Sequence, residues 1–199
     1  MLNKVKTLVA ALAMAAVPVG ASAQFTSASL EFLQAVKQRD GGKAQELLRS
    51  NGPAVINTRP DGGEPVLHLL VGRRDGDWLG FMLSSGGDAN LQNSKGDTAL
   101  LLAARGGWLE GANTLLRARA RVDLANRMGE TPLIVAVQQR HPAVVKRLLE
   151  AGANPDKTDN ATGRSARDYA KEDRRSSELL RLIETIKPAA TRPVAGPKL

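Results

Sequence analysis

The sequence predicts an all-α solenoid of about five stacked helix-turn-helix repeats, the first and last of them degenerate caps. Three observations carry that expectation. Residues recur in register: Gly63, Gly96 and Gly129 stand 33 apart with Gly163 one residue late, and Leu67, Leu100 and Leu133, then Leu83, Leu116 and Leu149, keep the same step. A polar column of Asn57, Asn90, Asp123 and Asp156 follows each second apolar patch in the same register. Composition agrees, since 42% of the 199 residues are apolar but only 3% aromatic, so thin layers of Leu, Ala and Val must build the core.

Residues 1–23 read as a secretory signal segment. Lys4 and Lys6 give a basic start, an apolar run extends from Leu8 to Val19, and Ala21, Ser22 and Ala23 offer a small-residue cleavage site. The apolar run is roughly a dozen residues, shorter than the ~20 that span a bilayer. Cleavage after Ala23 is therefore expected, with no stable membrane insertion afterwards. The region lacks paired arginines, which favours the general secretory route, and no cysteine is present to carry a lipid anchor. The expected destination lies across the inner membrane, in the periplasm if the source is Gram-negative. Loss of Lys4 and Lys6 lowers the formal charge of +8 by two.

The repeat domain is expected over 24–187, with caps at about 27–58 and 159–187 and full repeats at about 60–92, 93–125 and 126–158. In the first cap, 29–38 and 43–49 have helical patterning without a preceding turn signature, and 50–58 reads as a long loop. The third full repeat shows the local logic. Gly129 suits a turn that needs positive φ, Thr131 offers a hydroxyl as N-cap, and Pro132 fits N1, where its missing N–H costs nothing. Leu133, Val135, Ala136 and Val137 supply one buried face. After a break at 139–142, Val144, Val145, Leu148 and Leu149 form a second apolar stripe, and Gly152 ends that helix. In the last cap, 163–170 reads as a degenerate inner helix and 176–187 as a charged outer one, as solenoid ends require for solubility. Residues 188–199, with three prolines, read as a disordered tail.

The run Gly129-Glu130-Thr131-Pro132-Leu133, then Ala136, then Val144 through Asn154, resembles the ankyrin repeat almost residue for residue. Gly96 through Ala104 with Leu115, Leu116 and Asp123 is similar, and Asp61 through His68 with Ser84 through Asn90 is a weaker copy. The resemblance covers roughly 27–187 and suggests an exported bacterial member. It implies a Thr-Pro-Leu-His start to each inner helix, whose Thr and His hydrogen-bond to backbone. Only His68 keeps the His, and Pro65 replaces the Thr of that repeat; Leu101 and Ile134 fill the His column elsewhere. Arg74 and Arg140 stand where the family usually has glycine.

Little catalytic chemistry is on offer. Without cysteine there are no disulfides, thiolate metal sites or thiol nucleophiles. His68 and His141 occupy different columns and read as structural; no HExxH, GxSxG, Walker or GxGxxG motif occurs. Gly86-Gly87 and Gly106-Gly107 read as turn glycines. Asp168, Glu172 and Asp173 alternate with Arg167, Lys171, Arg174 and Arg175, the pattern of a salt-bridged helix face. No catalytic residue, metal or cofactor is expected, and six aromatics cannot line a nucleic-acid track.

The resemblance instead implies a monomeric module that binds a protein on the concave face, through turn tips and inner-helix ends. Carried onto this chain, those positions are Asp61, Gly62, Glu64, Arg73 and Arg74; Ser94, Lys95, Asp97, Arg105 and Trp108; and Arg127, Met128, Glu130, Gln138, Gln139 and Arg140. Trp108 is either an interface hot spot or packs against Leu109 and the next turn; Trp78 reads as outer-helix packing. On the first alternative, Trp108→Ala with Arg105→Ala weakens capture with little change in stability. Arg105, Arg117, Arg119, Arg121 and Arg127, against Glu110 and Asp123, make the middle of the chain locally basic. That charge either steers an acidic partner or coats the surface for solubility, and an alternative function is electrostatic binding of anionic envelope components.

Overall fold

The computed structural model describes residues 19–59, 63–173 and 177–186. The apolar stretch of the signal-like segment, the candidates Asp61 and Gly62, and the 188–199 tail lie outside them. Ten α-helices and only isolated β-bridges occur among the described residues, making an all-α repeat solenoid. A first pair, α1 (Val19–Gln38) and α2 (Gly41–Asn51), precedes four pairs of one design. Their inner helices are α3 (Val66–Gly72), α5 (Ala99–Arg105), α7 (Pro132–Gln138) and α9 (Ala166–Glu172). Their outer helices are α4 (Gly76–Ser84), α6 (Leu109–Arg117), α8 (Pro142–Glu150) and α10 (Ser177–Thr185). Inner helices stack on inner and outer on outer, and one continuous core runs between the layers.

Seven-residue helices are too short to hold themselves, so caps and packing must do it. Thr98, Thr131 and Ser165 each accept a bond from the backbone N–H three residues on, at Leu101, Ile134 and Asp168. Ser165 and Asp168 complete a reciprocal capping box. Asp40 and Asp75 cap α2 and α4 in the same way. Pro132 and Pro142 occupy the first turns of α7 and α8. Leu133, Val135, Ala136, Val137, Val144, Val145, Leu148 and Leu149 are all buried, as their spacing requires.

Two segments differ from the sequence reading. Helix α1 begins at Val19 rather than near residue 29 and passes without a break through Ala23. The 50–58 loop contains a tight 3-10 turn, Pro53–Asn57, because Val55 and Ile56 point into the core and need a fixed backbone.

Repeats are joined by hydrogen bonds that recur column by column. Asn57 Oδ1 accepts from the Asp88 N–H (2.7 Å), Asn90 Oδ1 from Arg121 (2.7 Å) and Asp123 Oδ1 from Asn154 (3.0 Å), which gives the polar column of the sequence its purpose. In the turns, Asn93 and Asn126 accept two backbone N–H bonds each through their side-chain oxygens. Gly96 and Gly129 have φ of 80° and 77°, and a Cβ on either would lie 2.7 Å from the backbone nitrogen of the next turn, Arg127 or Asn160. Glycine is needed there both for its conformation and for the close approach.

The inter-helix turns use the left-handed region too, but three of them with arginine: Arg39, Arg74 and Arg140 have φ of 59°, 53° and 57°. Such a conformation costs an L-residue roughly 1–2 kcal/mol. Each of these side chains reaches the next repeat, Arg39 to Asp75 (3.2 Å), Arg74 to the Gly106 carbonyl and Arg140 to Asp173 (2.6 Å). The fourth turn has Gly107, where a Cβ would stand 2.6 Å from the His141 ring.

Candidate partner-binding surface

The candidate residues divide into those the fold exposes and those it consumes. Lys95, Arg127 and Met128 project from the turn tips, Met128 with 55% of its surface exposed. Gln138 and Gln139 are exposed at the end of α7, and Glu64 and Ser94 are exposed on the turns. Arg73 is exposed at the end of α3 and donates to the Lys37 carbonyl (3.2 Å). Arg74 and Arg140 are exposed but engaged in the inter-repeat contacts above.

Asp97 and Trp108 are not surface residues, which corrects their reading as partner contacts. Asp97 is 2% exposed, its carboxylate turned inward to Arg105 and Asn126. Arg105 donates to Asp97 Oδ2 (2.8 Å) and Asn126 Nδ2 to Asp97 Oδ1 (2.9 Å). Burial acts to raise the Asp97 pKa, but the bonds from Arg105 and Asn126 outweigh it and hold the carboxyl below its ordinary value. Arg105 is half-buried and also lies 3.7 Å from Glu130, which accepts from Asn126 (2.8 Å). Arg105 and Glu130 thus serve the network first and show a partner only their edges.

Trp108 is 7% exposed. It stands just before α6, and its indole folds back over Gly111, whose missing side chain leaves room for the ring; the far edge reaches Gly76 of the preceding repeat. Trp78 is half-buried and meets Phe81 edge to face at 6.1 Å, the outer-helix packing its column suggested.

Both histidines bond to backbone across a repeat boundary. His141 Nε2 donates to the Arg105 carbonyl (3.1 Å). His68 Nε2 donates to the Asp97 carbonyl (2.7 Å), while its Nδ1 is buried without a partner among the described residues. Burial lowers the His68 pKa despite the opposing bond to Asp97. The unfolded chain then takes up a proton that the folded one resists, so stability is full above about pH 6.5 and falls as pH drops below it. His68→Leu, matching Leu101 in the same column, should flatten the fall in Tm between about pH 7 and 5. An unchanged slope would show that the buried ring is not its source.

The acidic cluster of the last repeat is held differently from the face that the sequence suggested. Asp168 serves the capping box, Glu172 pairs with Arg164 (3.0 Å) and Asp173 with Arg140 (2.6 Å), while Arg167 pairs with Asp156 (2.6 Å). Asp159 cannot donate as Asn93 and Asn126 do, and instead accepts from Tyr169 (2.6 Å) and Thr162. Arg174 and Arg175 lie outside the described residues.

Sequence reasoning missed Arg59. It precedes the first turn by one column, yet lines the same groove as Arg127, about 350 Å³ in volume. A second groove, about 520 Å³, runs along the inter-helix turns between Lys37, Arg39, Arg73 and Glu110. Among the described residues no group of three or more His, Asp or Glu is placed to hold a metal ion, and no helix is long and apolar enough to cross a membrane.

Rigid stacked turns carrying variable side chains define the class, a helical-repeat solenoid of the recognition type. The repeats within residues 67–159 match the family described as ankyrin repeats (3 copies). The chain is 27% identical over 157 residues to the ANK repeat-containing protein nipk-1 of Caenorhabditis elegans, covering 71% of this chain and 26% of that protein. It is 32% identical over 110 residues to a putative ankyrin repeat-containing protein of Treponema pallidum (55% and 37%). Against the human NF-kappa-B inhibitor delta it is 42% identical over 112 residues (54% and 36%). The chain thus spans between about a quarter and two fifths of these relatives' lengths. Ankyrin repeats are generally modules of protein–protein interaction rather than of catalysis.

Proposed function

We propose that this protein is an exported, monomeric, non-catalytic module of a bacterial cell envelope, and that it holds a protein partner against its turn tips and inner-helix ends. The observation that carries the reading is the contrast between fixed backbone and free side chains on one surface. The turn at 126–130 is pinned through Asn126, while Arg127 and Met128 on that turn stay in solvent. Met128, an exposed apolar side chain among cations, is an anchor of the kind interfaces bury. The name of one relative, an inhibitor of NF-kappa-B, speaks of a protein target for that relative and fits a protein partner here. The signal-like pattern of residues 1–23 supports an envelope location.

The test places a photo-crosslinking side chain at Met128 or at Arg119 in the full chain expressed in its native cell. A discrete crosslinked species is expected from Met128 and none from Arg119, together with a mature N-terminus at Gln24. Equal crosslinking from both positions would overturn the surface assignment. Such an outcome would favour instead the electrostatic reading, which Arg119 and Arg121 motivate: both are exposed, and neither side chain has a bonding partner among the described residues. Association of that kind should collapse in about 0.5 M salt, where the Debye length is only a few ångströms.

A further inference from the structure

The geometry points to a carboxylate-accepting groove beneath the turn tips, between Arg59 and Arg127, that takes an extended acidic segment of the partner. The inference deepens the reading above and rests on it. The groove, about 350 Å³, has Gln92, Gly96, Ala125 and Asn126 along its floor. Arg59 and Arg127 flank it from the repeats on either side of the 92–98 turn. Arg127 is held in place, since its N–H donates to the Lys95 carbonyl (3.2 Å) and its Cγ lies over Gly96, where even a Cβ would stand 3.0 Å away.

The floor has spent its own polar hydrogens. Gln92 Nε2 donates to the Gly96 (2.6 Å) and Ala125 (3.0 Å) carbonyls, and Asn126 Nδ2 to Asp97 and Glu130. The neighbouring carboxylates are occupied as well: Glu64 accepts from Asn93 (3.0 Å), and Asp97 is buried against Arg105. Neither Arg59 nor Arg127 has a carboxylate within ion-pair distance among the described residues, and Lys95, exposed on the intervening turn, has none either. What remains in the groove is therefore guanidinium donors facing solvent, a geometry suited to bidentate carboxylate binding.

The spacing selects an extended segment. Arg59, Lys95 and Arg127 stand on three successive repeats. Packed helices lie about 8–10 Å apart and an extended chain rises about 3.3 Å per residue, so carboxylates roughly three residues apart would meet successive cations, and those roughly six apart would meet Arg59 and Arg127. Nucleic acid fits less well, since no aromatic side chain lines the groove to stack a base.

The probe is a fluorescent peptide with glutamate at every third position, tested by polarisation against the full chain at low salt. Its controls are the same peptide with glutamine, the same composition with the glutamates adjacent, and inorganic polyphosphate. Wild type should bind the spaced glutamate peptide about tenfold tighter than the glutamine peptide, and Arg59→Gln with Arg127→Gln should remove that preference. Arg117→Gln with Arg121→Gln should leave it intact. Arg59→Glu with Arg127→Glu should prefer a peptide with lysine at the same positions, a gain that a misfolded variant cannot show. The inference is overturned if the Gln pair binds the glutamate peptide like wild type, or if polyphosphate binds and the peptide does not. A crosslink at Met128 that persists in the Arg59→Gln, Arg127→Gln protein would retain the partner surface while rejecting the acidic segment.

Discussion

Trp108→Ala is expected to destabilise the protein by about 3–4 kcal/mol and to lower Tm by roughly 10 °C. The indole fills space between two repeats, from Gly111 of its own helix to Gly76 of the one before, and nothing nearby can collapse into that volume without moving a helix. Gly111→Ala should also be costly, because the new methyl group would overlap the ring and drive it outward. The two changes act on one space, so the double variant should be more stable than the sum of the single losses, by about 1–3 kcal/mol in a double-mutant cycle. Urea unfolding of the four proteins measures this directly. A neutral Trp108→Ala would mean the indole lies on the surface after all. Pairing it with Arg105→Ala, which sequence reasoning would use to probe a partner at little cost in stability, is instead expected to unfold the middle of the stack.

Asp97→Ala is the second large effect, at about 2–3 kcal/mol. It takes away the acceptor of Asn126 Nδ2 and the closest partner of Arg105, leaving a half-buried cation beside Glu130 alone. Asp97→Asn keeps the shape but turns an amide donor or a weaker acceptor toward Arg105, so most of the loss should remain at neutral pH. The variants should also differ from wild type in acid. The folded-state pKa of Asp97 is depressed, so its contribution is complete above about pH 3.8 and disappears as pH falls through the lower folded value. Both variants should lack that portion of the acid-induced loss. If Asp97→Asn matches wild type at pH 7, the ion pair contributes nothing to stability.

The repeat, its helices and its caps were legible because they rest on residues with one physical role at one spacing: Thr131 caps, Pro132 starts, Gly129 turns. The fate of Trp108 was not legible from its own column, where Asp75 and His141 stand in the neighbouring repeats and bond to backbone. The missing signal lay three residues on. Trp78 and Val144 fill that position after Asp75 and His141, whereas Gly111 follows Trp108, so a large side chain in one column replaces a missing one in the other. Asp97 was misjudged for a similar reason. The same column holds exposed Glu64 and part-buried Glu130 in the neighbouring repeats, but only the Asp97 repeat brings an arginine eight residues later, at Arg105, to draw the carboxylate inward. Arg59 escaped notice because a groove between three repeats is a property of the stack, and no single period contains it.

Apart from Arg167 to Asp156, the side-chain hydrogen bonds between successive repeats, among the described residues, connect positions 29 to 36 apart in the chain, and each ends on the adjacent repeat. No bond therefore counts how many units lie on either side of it. A duplicated copy of 33 residues inserted between α6 and α7 would find its donors and acceptors already waiting, whereas an insertion of half a unit would leave them facing the wrong groups. The molecule can grow or shorten by whole units without redesign, and its length is a matter of copy number and not of architecture.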